Sequence, residues 1–494
     1  MTVIAVAPIA SVATFLGTES DLLIGGERVP SHDGGRFDVL DPASGARLAT
    51  APMARAADVD RAVRAARAAF AGEWAGVTPA DRAAALWRLA DLIEARFETF
   101  AQLEALNVGK VLALSRAVDV TKAIGVLRYM AGWATKLDGG QHPVSLPGQW
   151  LAYSRREPLG VVAAIIPWNY PIYMLAAKLA PALAAGNTVV LKPAEQTPLT
   201  ALLFAGLVEE AGFPPGVVNI ITGDGATTGA ALVSHPGVDK ITFTGSTQVG
   251  KAIARQAAAR MARVSLELGG KPANLIFADA DLDLAIPAAA AGVFANNGQV
   301  CMAGSRLYVD RRVFDEVVGG IGAIAERTRL GHPLDPRSEM GPLISAGQRD
   351  RVAAFLSEGL ADGARIAGQG RAPGGAGNFV PPTVLVGTTP AMRVQREEIF
   401  GPVVTVVPFT DADTAVAMAN DSRLGLVAGC FTTNLSTAHR VSAALRAGTV
   451  FVNCWGRTDM NLPFGGVKQS GWGRELGREG VEAFTETKSV LVSL

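Results

Sequence analysis

The chain has 494 residues, of which 49% are hydrophobic and 18% charged, a composition typical of a well-folded globular protein. Its 45 basic and 45 acidic residues balance, so no overall field draws it to nucleic acid or to an anionic membrane, and we expect neither as a partner. No stretch offers about 20 uninterrupted apolar residues, which argues against a membrane-spanning helix. A chain of this length exceeds one compact core and predicts two or more domains.

Cysteine and histidine usage points to a reducing compartment and to chemistry without a metal. The three cysteines form no CxxC pair, and the five histidines are scattered without HxxxH spacing. Residues 1–20 are fairly apolar but lack the basic start of a secretion signal, and we interpret them as a loose extension. We therefore expect a cytoplasmic protein that acts on a small molecule and binds no metal.

Helical and strand patterns follow one another along the chain. Residues 57–70 and 80–106 are helical in pattern, and the second stretch repeats apolar side chains at three- and four-residue spacing, which predicts a core-facing helix. Short runs rich in Val and Ile then alternate with longer helical stretches, which predicts a parallel sheet of nucleotide-binding type. These runs lie at 161–166, 188–191, 217–221 and 240–243.

The same alternation resumes after residue 267 and predicts a second α/β domain. Its apolar runs lie at 273–277, 383–386, 403–408 and 428–432, and the glycine-rich stretch 367–378 predicts a surface loop. Residues 135–157 and the tail 484–494 are strand-like and lie outside either block. Because the tail would be an exposed, aggregation-prone edge, we expect a homodimer or homotetramer in which a second copy covers it.

Cys301 and Glu267 are a candidate nucleophile and a candidate base. Cys301 ends the stretch NGQVC, and Glu267 begins ELGGK. A thiol that attacks and a carboxylate that activates water suit a covalent route through a thioester. Spacing alone leaves open whether Cys301 is catalytic or an inert loop thiol, because its pKa is not visible in the sequence. Cys430 is interpreted as a small buried hydrophobe, and Cys454 as a residue that lines a cleft without reacting.

Two strand ends carry polar residues that suit a ligand. Asn169 follows an apolar strand between two prolines, where a rigid amide can donate to an oxyanion; a plain strand-ending turn is the alternative. Lys192 and Glu195 follow the next strand and can hydrogen-bond a nucleotide ribose, the glutamate repelling a 2′-phosphate. That pattern favours NAD over NADP, although a solvated loop would look the same.

Two glycine-containing turns are candidates for binding a diphosphate. The turn with Gly223, Gly225 and Gly229 has three residues where the usual GxGxxG fingerprint has two, so it is a weak match. The stretch FTGSTQVG at 243–250 is better placed, because a strand runs there into a helix whose amino end exposes free N–H groups. Ser246 would cap that helix or contact phosphate.

Eight short motifs follow one another along the chain: PWN at 167–169, KPAE at 192–195, FTGST at 243–247, ELGGK at 267–271, GQVC at 298–301, EEIFGP at 397–402, PFGG at 463–466 and KQSG at 468–471. In order and spacing this set resembles the NAD(P)-dependent aldehyde dehydrogenase superfamily from about residue 20 to the end. Two details near the carboxyl end weakly resemble subgroups: Asp459 the γ-glutamyl-γ-aminobutyraldehyde dehydrogenases, and Trp455-Gly456 the betaine aldehyde dehydrogenases.

The resemblance implies two doubly wound α/β domains, one a Rossmann-like cofactor domain and the other catalytic, plus a small β oligomerisation element. The boundaries we expect are 1–134 and 158–266 for the NAD-binding domain, 267–472 for the catalytic domain, and 135–157 with 473–494 for the oligomerisation element.

The resemblance also implies roles for individual residues. Cys301 would be the nucleophile, Glu267 the general base, and Asn169 with the Cys301 backbone N–H the oxyanion hole, with Lys178 behind that asparagine. NAD would be the cofactor. Its expected contacts are Ile166, Pro167, Trp168, Lys192, Glu195, Gly225, Gly229, Phe243, Gly245, Ser246, Val249, Leu268, Gln348, Arg351, Glu398 and Phe400, and the family often has lysine at position 351.

The family's substrate tunnel maps onto a largely apolar and aromatic set of residues. Ala177 stands where many members carry a bulky Trp, so a wider tunnel and a longer, aromatic or terpenoid aldehyde are expected. Asp459 would instead attract an amino-aldehyde, unless it merely pairs with Arg457. The tunnel residues we expect are Tyr170, Tyr173, Met174, Ala177, Met302, Trp455, Asp459 and Phe464.

Three other functions compete with hydrolytic aldehyde oxidation. A CoA-acylating dehydrogenase generally lacks the general base, so Glu267 argues against it. A semialdehyde dehydrogenase needs a cationic anchor in the tunnel, and Arg457 is the only nearby candidate in the sequence. A non-catalytic family member would not need Cys301, Glu267 and Asn169 together.

Overall fold

The computed structural model describes residues 6–494, which form two large sheets, three small ones and the helices around them. The strands are β1 (Leu22–Ile24), β2 (Glu27–Val29), β3 (Arg36–Leu40), β4 (Arg47–Pro52), β5 (Trp150–Pro158), β6 (Val161–Ile165), β7 (Thr188–Lys192), β8 (Val218–Ile220), β9 (Lys240–Thr244), β10 (Arg263–Glu267), β11 (Ala273–Ile276), β12 (Arg306–Asp310), β13 (Arg365–Gln369), β14 (Thr383–Val386), β15 (Val403–Phe409), β16 (Leu424–Gly425), β17 (Val427–Phe431), β18 (Thr449–Val452), β19 (Val467–Lys468), β20 (Gly471–Trp472) and β21 (Thr485–Ser493).

The helices pack on both faces of the two large sheets, as in doubly wound folds. They are α1 (Ala10–Leu16), α2 (Ala56–Ala71), α3 (Glu73–Gly76), α4 (Pro79–Ala95), α5 (Phe97–Val108), α6 (Leu112–Leu114), α7 (Thr121–Ala131), α8 (Pro171–Ala184), α9 (Leu199–Glu210), α10 (Ala230–Ser234), α11 (Thr247–Ala258), α12 (Leu282–Phe294), α13 (Phe314–Arg327), α14 (Ala346–Ala361), α15 (Arg393–Arg396), α16 (Ala412–Asn420), α17 (Leu435–Ala444) and α18 (Gly477–Glu482).

The first large sheet has eight strands in the order β2-β1-β8-β7-β6-β9-β10-β20. Its five inner strands are parallel, and β1 and β20 join them antiparallel at the two sides. The strands β6 and β7 are buried along their whole length because helices cover both faces, which explains their unbroken runs of Val, Ile, Leu and Ala. The predicted strands at 161–166, 188–191, 217–221 and 240–243 are thereby confirmed.

The second large sheet has seven strands in the order β13-β14-β15-β12-β11-β17-β18. All neighbours are parallel except β13, which pairs antiparallel with β14 at the edge. The predicted strands after residue 267 and the α/β fold class with two sheets are confirmed. The prediction of a surface loop over 367–378 is wrong at its start, because residues 365–369 pair with β14.

A two-stranded ribbon lies apart from both large sheets. It consists of β5 and β21, which pair antiparallel over nine residues from Trp150–Ser493 to Pro158–Thr485. Both strands come from the regions expected to form the oligomerisation element. The strand β20 pairs with β10 of the first sheet, although the expected catalytic domain runs to residue 472. The domain boundaries remain predictions.

Two local expectations are wrong. Residues 10–16 are the helix α1 and not a loose extension, because Val12 is buried against Leu103 and Leu106; residues 1–5 of that expected extension lie outside the described chain. The helical stretch 80–106 is interrupted at Arg96, whose φ of −113° and ψ of 24° separate α4 from α5.

Along residues 6–494, no helix is both long and apolar enough to cross a membrane.

Candidate active site

Cys301 follows a tight turn after α12 that is held by left-handed backbone and by side-chain hydrogen bonds. Asn296, Asn297 and Gly298 have φ values of 47°, 58° and 70°, a conformation that asparagine and glycine tolerate better than other residues. A Cβ atom at residue 298 would collide with the carbonyl oxygen of Gly401. The polar residues before the cysteine therefore shape the turn that presents it.

The turn before Cys301 and the turn at Asn169 are bonded to each other. Asn169 Nδ2 donates to the carbonyl oxygen of Gln299 at 2.8 Å, and Asn296 Nδ2 donates to the carbonyl oxygen of Asn169 at 3.1 Å. Since an amide carries two N–H donors, one on Asn169 remains for a ligand. The structure thus brings the predicted oxyanion donor next to the loop of the predicted nucleophile.

The thiol of Cys301 lies in a partly apolar, partly acidic environment. It is half-buried and packs against the cluster of Leu426 and Trp455. Burial raises the pKa of the Cys301 thiol, and the carboxylates of Glu398 and Glu267 raise it further. The free thiol is therefore predominantly protonated at neutral pH.

Glu267 ends β10 and presents a carboxyl group with no hydrogen-bond partner among the described residues. Its side chain is buried, and both oxygens lack a partner. Burial raises its pKa well above the usual range, and Glu475 adds to that shift, while Lys178 and Arg474 oppose it. A carboxyl group of raised pKa with free lone pairs suits a general base for a water molecule.

Lys178 lies on α8 and connects two parts of the chain that are distant in sequence. Its ammonium donates to Glu475 Oε1 at 2.5 Å and to Thr242 Oγ1 at 3.2 Å. Glu475 carries no motif that would have marked it in the sequence, yet its charge acts on both Cys301 and Glu267.

Lys110 is a second residue that the sequence did not indicate. Its ammonium is fully buried and donates to the carbonyl oxygen of Asn169 and to Asp119 Oδ1, both at 2.7 Å. It also lies 3.9 Å from the centre of the Tyr170 ring. Lys110 thereby fixes the backbone of the turn that carries Asn169. Only the three-dimensional fold brings Lys110, Asp119 and Asn169 together, so no local spacing reveals the contact.

Replacing Lys110 with methionine is expected to destabilise the protein and to lower kcat. The substitution leaves Asp119 buried without its counter-ion, a loss of about 3–5 kcal/mol in other proteins. It also removes the shorter of the two hydrogen bonds to the Asn169 carbonyl and leaves only the one from Asn296. Urea unfolding measures the first effect and steady-state kinetics the second. Lys136→Met, at an exposed lysine, is the matched control. A Lys110→Met variant as stable and as active as the control would contradict this role.

The residues expected at the adenosine and diphosphate lie beyond the carboxyl ends of β7 and β9. Lys192 Nζ is buried and lies 3.9 Å from Glu195 Oε2, whose side chain is 40% exposed. Ser246 caps α11 by accepting a hydrogen bond from the Val249 N–H at 3.3 Å. The side chain of Val249 is 48% exposed, which leaves an apolar surface beside the helix start.

The other residues expected to contact the adenosine and the diphosphate lie at the same edge of the sheet, and most of them pack closely against their neighbours. Gly229 lies against the Lys192 stem, Gly245 against the Phe243 ring, and Leu268 against Gly250 of α11. A Cβ atom at Gly225 would meet no atom within 4 Å, so this turn faces open space. Ile166 donates its N–H to the Lys192 carbonyl at 3.1 Å, and Pro167 follows it at the sheet edge.

The residues expected at the nicotinamide end surround Glu398. Glu398 Oε1 accepts the Gly270 N–H at 3.0 Å, and burial raises the pKa of Glu398 to about 7. Phe400 has a φ of 60°, and its ring lies edge-on to Trp168 with ring centres 5.2 Å apart. Gln348 and Arg351 donate to the carbonyl oxygens of Phe400 and Glu398, each at 2.8 Å, and so brace this segment.

The expected tunnel residues are grouped around α8 and the loop 453–464. Trp455 Nε1 donates to the Met302 carbonyl at 3.0 Å, and Phe464 packs in the same cluster as Cys301. Tyr170 immediately precedes α8, Tyr173 and Met174 are half-buried on its first turn, and Ala177 is buried one turn later.

Asp459 is exposed and makes no ion pair with Arg457 within the part of the chain described. Its Oδ1 accepts the Asn461 N–H at 2.8 Å instead, because the loop turns back at this point. The alternative in which Asp459 merely neutralises Arg457 is therefore wrong.

Comparison with known proteins identifies the family of this chain. Residues 29–490 match the aldehyde dehydrogenase family. A putative aldehyde dehydrogenase, DhaS, of Bacillus subtilis is 48% identical over 97% of both chains, and human retinal dehydrogenase 2 is 46% identical over 96% of this chain and 92% of its own. The NAD+ complex of an aldehyde dehydrogenase from Bacillus cereus superposes with a TM-score of 0.97 at 46% identity, covering 100% of each chain. The chain therefore belongs to the aldehyde dehydrogenase family, as the resemblance of its motifs predicts.

Proposed function

We propose that the protein oxidises an aldehyde to the carboxylic acid with NAD, by way of a thioester on Cys301. The observation that carries the proposal is the pairing of this thiol with Glu267, a buried carboxyl group whose two oxygens accept no hydrogen bond from residues 6–494. The overall reaction converts aldehyde, water and NAD+ into acid, NADH and a proton. It fits the chain better than CoA acylation, which needs no such base.

The described residues fit NAD at both of its ends. The adenosine end has the half-exposed Glu195 carboxylate beside Lys192 for ribose hydroxyls, and the exposed Val249 for the base. The start of α11 provides backbone N–H groups for the diphosphate. Glu398 and Phe400 would hold the nicotinamide ribose and ring. When bound, NAD supplies the hydride acceptor. The Bacillus cereus complex with NAD+ supports this assignment.

Cys301 and Asn169 carry the first half of the reaction. The Cys301 sulfur, once deprotonated, attacks the carbonyl carbon, so a carbon–sulfur bond forms and the carbonyl oxygen becomes an oxyanion. The free N–H of the Asn169 amide and the Cys301 backbone N–H stabilise that charge. Hydride loss from the same carbon leaves the thioester.

Glu267 carries the second half of the reaction. Its carboxylate removes a proton from water, the resulting hydroxide attacks the thioester carbon, and the carbon–sulfur bond breaks to release the acid. The space for a water molecule beside this carboxylate requires glycine at position 465, because a Cβ atom there would lie 2.8 Å from Glu267 Oε1.

The aldehyde that we propose is long, aromatic or terpenoid. The aromatic side chains of Tyr170, Tyr173, Trp455 and Phe464 support an extended apolar substrate, as does the small Ala177. A relative that shares 46% of its sequence is named for retinal, a long apolar aldehyde. Steady-state rates with NAD over a panel of aliphatic, aromatic, terpenoid and amino-aldehydes test this proposal. Preference for a short aliphatic aldehyde would contradict it.

We also propose a cytoplasmic homodimer or homotetramer. Leu491 on β21 and Leu494 just beyond it are exposed, which suits burial against a second copy. All three cysteines are free, as in a reducing compartment. Light scattering of the purified protein measures the assembly, and a monomer would contradict it.

Cofactor preference is expected to depend on Glu195. The wild type should use NAD at least roughly tenfold better than NADP in kcat/KM, because the carboxylate accepts from ribose hydroxyls and repels a 2′-phosphate. Glu195→Gln removes the charge at constant shape and should shrink that ratio, whereas Glu209→Gln at an exposed position should not. A wild type that prefers NADP would overturn the assignment.

A further inference from the structure

Lys122 places a positive charge at the wall of the expected substrate tunnel. It lies on the first turn of α7, and its ammonium donates to Thr458 Oγ1 at 2.5 Å. It also lies 5.6 Å from the centre of the Tyr173 ring. Tyr173 on α8 is one of the expected tunnel residues, and Thr458 lies in the loop 453–464, which carries others. The sequence offered only Arg457 as a cation in this region, because α7 is distant from both segments along the chain.

The charge of Lys122 has no counter-ion within reach. Among residues 6–494, no carboxylate lies within 4.0 Å of the Lys122 ammonium or of the Arg457 guanidinium. Asp119 is the acidic group that acts most on Lys122, but it is bonded to Lys110. Asp459 is exposed, and one of its oxygens accepts a backbone N–H.

Burial and the charge of Arg457 both lower the pKa of Lys122. A partly buried ammonium that is repelled by a neighbouring cation is stabilised when an anion binds beside it. Thr458 adds a hydroxyl that can donate to such an anion while it accepts from Lys122. Two cationic side chains and one hydroxyl group thus lie together at this end of the loop 453–464.

The position of Tyr173 relates this cationic site to the reacting centre. Phe464 packs against the apolar cluster that Tyr173 lines and also against the cluster that Cys301 lines, so Tyr173 lies one side chain away from the surroundings of the nucleophile as well as near Lys122. An aldehyde held at Cys301 therefore extends past Tyr173 toward the ammonium. A substrate with a carboxylate some distance from its aldehyde carbon would meet both groups.

We infer that the substrate is an aldehyde that carries a carboxylate at its far end, and that Lys122 with Arg457 binds this carboxylate. The inference rests on the proposed oxidation and narrows its substrate class to long or ring-bearing oxo-acids. An amino-aldehyde would place like charges together at the same point, which costs affinity.

The test compares 4-formylbenzoate with its methyl ester, which share the ring and the aldehyde and differ in charge. We expect the wild type to use the acid about tenfold better in kcat/KM, or about 1.4 kcal/mol, mainly through KM, since the bound carboxylate accepts a charge-assisted hydrogen bond that the ester cannot match. Lys122→Met keeps the length of the side chain and should remove most of the preference, because only the exposed Arg457 remains, and Lys122→Arg should restore most of it. Lys136→Met is the control that should keep the preference.

The outcomes separate this inference from the proposed reaction. Equal use of acid and ester by the wild type would overturn the inference while leaving aldehyde oxidation intact. A preference for the acid that is as large in Lys122→Met as in the wild type would also overturn the inference. Absence of NADH formation with every aldehyde tested would overturn the proposed function, and the inference with it.

Discussion

Replacing Cys301 with alanine is expected to abolish aldehyde-dependent NADH formation. The thiol forms the only covalent bond to the substrate in the proposed route, and loss of a nucleophile of this kind costs roughly 10⁴–10⁶ in kcat in other enzymes. The fold should survive, because the side chain lies half-buried at the rim of its apolar cluster. The absorbance of NADH measures activity, and thermal unfolding checks stability.

Cys454 provides the matched control for that experiment. It is free, half-buried and packed against the same cluster of Leu426 and Trp455. Cys454→Ala should keep most of the activity. Full turnover by Cys301→Ala would remove the thioester route from consideration, and loss of activity in both variants would point to packing as the common cause.

Replacing Glu267 with glutamine is expected to separate the two halves of the reaction. One equivalent of NADH per active site should form in a burst, because Cys301 and Asn169 are intact, while steady-state release of acid should fall about 10²–10⁴-fold without the base. Stopped-flow absorbance resolves the burst from the slow phase. Glu479→Gln, at an exposed position, should show neither change.

The pH dependence of acid release should also change in Glu267→Gln. Burial raises the pKa of Glu267, and only the carboxylate form acts as a base. Steady-state hydrolysis by the wild type should therefore rise with pH through a value well above the usual range of a glutamate, and this dependence should disappear in the variant. Loss of the burst itself would mean that Glu267 acts before hydride transfer.

Most of the fold was predictable because buried parallel strands have a strong compositional signature. The runs at 161–166 and 188–191 are apolar throughout, since helices cover both faces of the sheet. β10 and β12 were missed because they begin or end with charged residues and interrupt their apolar runs, as in RVSLE and RLYVD. The helix α1 was missed because its burial depends on α5, which lies far along the chain.

The candidate site was predictable where motifs are local and unpredictable where contacts are distant. Cys301, Glu267 and Asn169 each lie in a short recognisable stretch. Lys110, Lys122 and Glu475 do not, and each acts through a partner that lies tens to hundreds of residues away in the sequence. Isolated charged residues are usually solvated, so their burial next to the site becomes visible only in three dimensions.

The pairing of β20 with β10 sets an order of assembly during synthesis. Glu267 aligns with Gly471 in that pairing, the Leu268 N–H donates to the Ser470 carbonyl, and Ser470 Oγ donates to the Gly269 carbonyl at 2.7 Å. The strand that bears the base therefore lacks its outer neighbour until residues 470–472 have emerged from the ribosome. A nascent chain that already contains Cys301, Asn169 and Glu267 therefore still lacks the strand that supports the base until residue 472 has been synthesised.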